Sequence, residues 1–182
     1  MNKFAIIGLL AIAALAAGIL LIPRQSVAPE KSVTLSTMKI TSPAFTQNES
    51  IPVKYTCTGG NTNPELRFAG VPEQAKSLAL IMDYPDATVG TFTHWLIWNI
   101  DSKNPAIAEH SVPAGAVEGK NGAGKTGYIG PCPPSGTHRY FFKLYALDAM
   151  LGLPAGASKT ELEAEIEKHL VAQAELIGLY RK

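Results

Sequence analysis

The chain has 182 residues and is close to electroneutral, +1 from 16 basic and 15 acidic side chains, with 46% hydrophobic residues. With an apolar N-terminus set aside, that length is one domain with room for a hydrophobic core. Neither sign of charge gathers into a run, so the basic stripe of a nucleic-acid-binding protein is missing and nucleic acid is not an expected partner.

Residues 1–24 read as a membrane anchor or signal segment. Residues 4–22 carry no charge, and a helix needs about 20 apolar residues to cross a bilayer, whereas a signal-peptide core takes about 7–15. The favoured expectation is an uncleaved single N-terminal helix that anchors the protein in a membrane, with the domain outside the cytoplasm. The alternative is a secreted or periplasmic product after signal cleavage, although the best site, Ser26-Val27-Ala28, is followed by Pro29, which impairs processing. A buried core helix is the third reading. Lys3 on one side against Arg24 and Lys31 on the other leaves the positive-inside rule nearly silent. Residues 25–36 read as a polar linker and residues 37–182 as the folded domain.

Strand-like runs follow over residues 38–40, 51–56, 65–68, 77–83, 93–100 and 138–147, separated by turns such as Thr58-Gly59-Gly60-Asn61 and Gly70-Val71-Pro72. Residues 77–82 and 141–147 are apolar on both alternating faces, as suits interior strands. His94 opens the run at 93–100, just after Asp83-Tyr84-Pro85-Asp86, and regular alternation puts Leu96 and Trp98 on its face. Cys57 and Cys132 are the only two cysteines. In an oxidising compartment they can join as a disulfide. The other reading is two separate thiols, with Cys57 buried in a strand. A zinc site lacks any Cys-x-x-Cys spacing.

Gly119-Lys120-Asn121-Gly122-Ala123-Gly124-Lys125-Thr126 matches the nucleotide-binding P-loop pattern letter for letter. That loop needs a buried strand before it and a helix after it to aim N–H groups at phosphates. Residues 111–118 make no convincing buried strand, and Pro131, Pro133 and Pro134 exclude a following helix, since interior Pro costs about 3 kcal/mol. The match reads as coincidence. Next, the Gly/Pro run over residues 130–136 stops at His138, and His138, Tyr140, Phe142, Leu144 and Ala146 fall at period 2 on one strand face. Last, Ser158-Lys159-Thr160-Glu161 has capping-box spacing, and Leu162, Ile166, Leu170 and Ala174 repeat every four residues. This predicts a helix ending near Glu175 and a short strand over residues 176–180.

Two strand-borne histidines, the carboxylate of Asp86 and a rigid Gly/Pro loop point to a small anion-binding pocket. A histidine near neutrality can donate to a phosphate oxygen, more strongly when protonated. The plainer readings are core roles for His94, His138, Tyr128 and Tyr140, and turn formation for Asp86. Two enzyme readings compete. A serine-type hydrolase could pair Ser135 with His138, but Pro133 and Thr137 replace the glycines of the nucleophile elbow. A metal-dependent one could use His94, His138, Asp86 and Cys132.

Tyr55-Thr56-Cys57-Thr58-Gly59, Pro85-Asp86-Ala87, His94-Trp95, Gly124-Lys125-Thr126-Gly127-Tyr128, Gly130-Pro131-Cys132-Pro133-Pro134 and His138-Arg139-Tyr140 occur in that order. In this the chain resembles the phosphatidylethanolamine-binding protein family, specifically its bacterial and archaeal Raf-kinase-inhibitor-like branch, from Leu35 onward. The resemblance implies a mainly β fold of two antiparallel sheets with one main C-terminal helix packed on it. It implies a shallow pocket for phosphate-type head groups or small anions, without cofactor, metal or catalysis. The expected partner is a phosphate-bearing small molecule or phospholipid head group, and binding would inhibit or modulate a protein. The pocket residues carried over are Asp86, His94, Gly130, Pro133, Pro134, His138 and Tyr140, with Phe92 at one rim and Tyr84 as a further ligand-binding position. Arg139 alternates away, into a salt bridge under the pocket. Two positions depart from the family's Asp-Pro-Asp-x-Pro: Tyr84 replaces the first acid and Thr88 the last proline. The Tyr84 phenol can donate a hydrogen bond but brings no charge, which would ease binding of an anion.

Overall fold

The computed structural model describes residues 37–88 and 90–182. In chain order the strands are β1 (Lys39–Thr41), β2 (Glu49–Ser50), β3 (Leu66–Ala69), β4 (Ser77–Tyr84), β5 (Phe92–Asp101), β6 (Ala106–Ile107), β7 (Val117–Glu118) and β8 (Thr137–Leu147). Helix α1 (Lys159–His169) and strand β9 (Leu170–Arg181) close the order. They form a three-stranded sheet, β1-β3-β6, and a six-stranded sheet, β2-β9-β8-β4-β5-β7. Every strand pair is antiparallel except β2 with β9. The mainly β, two-sheet fold with one helix is thus as expected.

Strand β4 shows why the large sheet is interior. Its residues are buried throughout, and alternation divides them between two cores. Leu78, Leu80, Met82 and Tyr84 join Ile40, Leu66, Phe68 and Ile107 of the small sheet. Ala79 and Ile81 join Leu96, Trp98 and the helix residues Leu162 and Ile166. The six-stranded sheet is therefore sandwiched between the small sheet and α1.

The helix begins as its sequence requires: the Ser158 side chain accepts from the Glu161 amide, and the Glu161 carboxylate accepts from the Ser158 amide at 2.7 Å. Its end is a correction. The chain turns extended at Leu170, not Glu175, because β9 pairs with β8 along their length, Ala174 opposite Leu144. The four-residue spacing of Leu170 and Ala174 is overridden by that ladder. A second correction concerns residues 51–56. The Ile51 amide donates the last rung to Leu179 at 2.7 Å, Pro52 has no N–H to continue, and Val53–Tyr55 closes as a 3-10 turn.

A third correction bears on the site. Opposite β4, Asp83 faces Thr93 but Met82 faces Trp95, so His94 is an extra residue in β5. This β-bulge turns Trp95 to the same core as His94's ring neighbours, and Leu96 and Trp98 to the helix side. His94 does not share a face with Leu96 and Trp98.

The expectation of a membrane anchor, with the domain held outside the cytoplasm, is also corrected. Among the described residues no helix is long and apolar enough to cross a membrane, and no anchor is shown. Residues 4–22, on which that expectation rested, lie outside the described residues.

Candidate functional site

Strands β8, β4 and β5 are neighbours in the large sheet, and their ends gather five rings. Tyr84 stacks on Tyr140 with centroids 5.0 Å apart, and its edge meets His138 at 5.4 Å. The His94 ring lies 4.9 Å from Phe92, 5.2 Å from Tyr140 and 6.1 Å from Tyr84. Phe92 is half-buried at the rim, and Gly122 lies so close beneath it that a Cβ there would come within 2.6 Å of the ring.

His94 is only 2% exposed. Its Nδ1 sits 2.6 Å from the Ile129 carbonyl oxygen. A carbonyl only accepts, so the proton is on Nδ1, and Nε2 of the neutral ring presents a lone pair. Nε2 is sealed from solvent and has no hydrogen-bond partner among the described residues. Burial pushes the His94 pKa down to about 4, against smaller raising effects of the Ile129 contact and Asp83. The expectation of a protonated histidine donating to an anion therefore does not hold at His94. The Tyr140 hydroxyl is likewise buried with no partner of ordinary geometry, and burial pushes its pKa up.

His138 is engaged at both nitrogens. Nε2 donates to the Ser135 carbonyl at 2.7 Å, so in the neutral ring Nδ1 accepts from the Tyr84 hydroxyl at 3.0 Å. Asp86 faces Arg139 in a forked pair, Oδ1 to Nη2 at 2.6 Å and Oδ2 to Nε at 3.1 Å, and also accepts the Arg139 amide at 3.0 Å. Those Arg139 hydrogen bonds hold its carboxyl below the usual range. Neither partner of that pair reaches the rings with a free charge.

The Gly/Pro loop meets the rings through a backbone atom that sequence reasoning missed, the Ile129 carbonyl. Its position is fixed from several sides. The Ile129 amide donates to the His94 carbonyl at 3.0 Å, and the Gly130 amide to Asn61 Oδ1 at 2.8 Å. Tyr128 turns away, its ring edge on Trp95 and its hydroxyl on the Tyr55 carbonyl at 2.8 Å. Cys57 and Cys132 are joined, with Cα atoms 5.4 Å apart. Gly130 leaves no room for a side chain, since a Cβ would lie 2.5 Å from the Tyr55 carbonyl oxygen. Pro133 is buried and Pro134 exposed; like Gly130, they belong to the loop and not to the ring cluster. The positive φ of Asn61, 50°, is the one local oddity that Asn in a Gly-rich turn hints at.

The competing chemistries lack their geometry. His138 meets the Ser135 carbonyl, not its hydroxyl. Cys132 is in the disulfide, and among the described residues no three His, Cys, Asp or Glu side chains come together as metal ligands. In the P-loop lookalike, Asn121 Oδ1 accepts from the Ala123 and Lys125 amides at 3.0 and 3.2 Å, closing a tight turn. A cleft of about 540 Å³ lies on the opposite face of β8 from Tyr140, between Lys143, Tyr145 and Glu175.

Comparison with known proteins shows the family. A family model for phosphatidylethanolamine-binding proteins matches residues 41–181. A UPF0098 protein of Methanothermobacter thermautotrophicus is 49% identical over 150 residues, covering 80% of this chain and 99% of the relative. One from Pyrococcus horikoshii is 46% identical over 153 residues, covering 80% and 77%. Among solved structures, a Chlamydia trachomatis protein described as a homolog of phosphatidylethanolamine-binding proteins superposes with a TM-score of 0.77 at 41% identity, over 81% of this chain and 99% of that one. E. coli YbcL, described as a member of the mammalian family, gives 0.76 at 30% identity, over 80% and 98%.

Proposed function

The chain belongs to the phosphatidylethanolamine-binding protein family, and on that premise we propose that its ring-lined site, centred on His94 and His138, takes a phosphate-bearing small molecule or head group without catalysing a reaction on it. The family supports a binding role. The observation that carries the site is His94 Nε2, buried among three rings with no partner among the described residues. An orphaned buried acceptor costs about 1–3 kcal/mol, and such a cost is retained where a ligand can meet the atom. Tyr84 and His138 hold one another at the other side of the cluster, and the Asp86–Arg139 pair and Phe92 form the rim. A bound ligand would rearrange that rim, the surface through which the domain would modulate a partner protein.

Titration calorimetry of phosphorylethanolamine into wild type, His94→Phe and His138→Ala tests this reading. Hydrogen bonds to charged groups contribute about 1.5–3 kcal/mol, so each loss should weaken binding by about 10- to 150-fold. Circular dichroism serves as the folding control. Equal affinities in all three proteins would return both histidines to the core.

A further inference from the structure

We propose that the groove bounded by residues 61–63, 110–112 and 127–128 binds an alkylammonium ion, the end group of a lysine side chain or of a free amine, with Glu118 as its counter-ion. The groove encloses about 280 Å³ and is separate from the ring cluster, since none of Tyr84, Phe92, His94, His138 and Tyr140 lines it. Its ligand is independent of what the ring cluster binds.

Glu118 supplies the charge. It stands half-buried on β7, opposite Ile97 of β5. Its Oε1 accepts the Trp95 indole N–H at 2.7 Å, which fixes the direction of the carboxylate. Among the described residues Oε2 has no hydrogen-bond partner and no ion pair includes Glu118. A charge drawn partly out of water is ordinarily met by an opposite one, because desolvation is costly. Gly127 keeps the approach open: with φ 99° and no side chain it leaves uncovered a place where a Cβ would lie 3.7 and 3.9 Å from the two carboxylate oxygens.

The walls are held in place. Asn63 is buried, and its side chain takes the Ser111 amide at 3.1 Å and donates to the Ala108 carbonyl at 2.9 Å. The His110 amide donates to the Asn63 carbonyl at 3.2 Å, and His110 Nδ1 lies 2.7 Å from Thr62 Oγ1. These ties keep His110 at φ 53°, a left-handed conformation that persists in side-chain-bearing residues where the surroundings over-determine it. Tyr128 adds a ring, anchored through its hydroxyl to Tyr55, and Val112 lines the groove with its apolar side chain 46% exposed.

These features select the ligand. A free carboxylate oxygen repels anions and attracts cations. A divalent metal would need several oxygen ligands, but Asn61 Oδ1 is spent on the Gly130 amide and Asn63 Oδ1 on Ser111. No three metal-ligating side chains meet among the described residues. A guanidinium favours a fork across both carboxylate oxygens, and Trp95 already holds Oε1, so the compact ammonium is the better match to Oε2. The Tyr128 ring adds attraction for a cation, and a methylene stem would cover Val112. The volume falls just below the about 300–1,000 Å³ of ordinary ligand pockets, which suits an end group rather than a nucleotide or lipid.

Nuclear magnetic resonance titration of the full-length protein with n-butylammonium, n-butanol and butyrate, matched in size, tests the proposal on the Trp95 indole and Ser111 amide resonances. Saturable shifts are expected with n-butylammonium alone. In Glu118→Gln, whose amide oxygen can still accept from Trp95, n-butylammonium should bind about tenfold or more weaker, the loss of one charge-assisted hydrogen bond. Acetyl-Gly-Lys-Gly-amide separates the sources. Binding at least as tight as n-butylammonium assigns the groove to a lysine of a partner protein, and its exclusion while the amine still binds assigns it to a free amine. The probes carry no phosphate, so the outcome is read apart from that of the ring cluster. Absence of saturation with n-butylammonium in wild type would overturn the proposal, as would n-butanol or butyrate binding as well as it does. Affinities within twofold in wild type and a folded Glu118→Gln would overturn it too.

Discussion

Replacing Cys57 and Cys132 together by Ser removes a covalent bond from a native state that holds the same loops by other means. The disulfide closes a separation of 75 residues. In the loop-closure model that restricts the unfolded chain by about 15 cal/mol/K, or about 4.5 kcal/mol at 25 °C. In the folded state the Cys57 amide still reaches the Pro131 carbonyl at 3.1 Å, Gly130 still reaches Asn61, and Tyr128 still reaches Tyr55. The loss should therefore fall on the unfolded side, lowering Tm by about 9–18 °C, since about 2–4 °C corresponds to 1 kcal/mol at this size. Urea and thermal unfolding of oxidised wild type, reduced wild type and the double variant measure it. The last two should coincide, with a larger m-value than the oxidised protein because their unfolded chains expand further. Unfolding of the double variant within about 1 kcal/mol of oxidised wild type would refute the loop-entropy reasoning. A large loss of phosphorylethanolamine affinity in the folded variant would show that the bond positions the site instead.

His94 is held neutral when folded, near pKa 4, and unfolds to a group titrating near about 6.5, so stability is full above about pH 6.5 and falls by up to about 3 kcal/mol towards pH 4. A His94→Phe profile should lack that part of the slope, and superimposable profiles would count against the assignment. Gly130→Ala drives a Cβ to 2.5 Å from the Tyr55 carbonyl oxygen and 2.8 Å from the Thr56 backbone, at an expected cost of about 3 kcal/mol in denaturant unfolding. A change below about 0.5 kcal/mol would mean the loop can retreat. Lys125→Ala, exposed in the Asn121-closed turn, should shift stability by less than about 0.5 kcal/mol. Calorimetry should find no ATP binding to wild type, and ATP binding that vanished with Lys125 would revive the P-loop.

Much of the sheet was legible because β4, β5 and β8 are long and apolar on both faces, a pattern that only interior strands satisfy. The start of α1 was legible from Ser158 and Glu161, since a capping box is local chemistry. Its end was not, because Leu170 and Ala174 fit a helical stripe as well as a strand, and only the presence of β8 alongside decides. The bulge at His94 leaves no mark in composition; it exists because β4 and β5 must keep register on either side of it. The two histidines could be picked out from their neighbours Asp86 and the proline loop. That the Tyr84 hydroxyl would bond His138, and that Ile129 would fix the His94 proton, depend on contacts between residues distant in sequence, and the second runs through a backbone carbonyl, which carries no residue signature.

Strand β9 is the last strand in chain order, yet it lies second in the large sheet, between β2 and β8. As the chain emerges from a ribosome, β2 and the outer edge of β8 wait for residues made after both. That edge is eleven residues long, with open N–H and C=O groups able to pair with any other extended chain. Pairings of this sequence separation form slowly. The sheet can therefore close only once β9 has been made, and the interval before β9 docks is when newly made molecules are most exposed to joining one another.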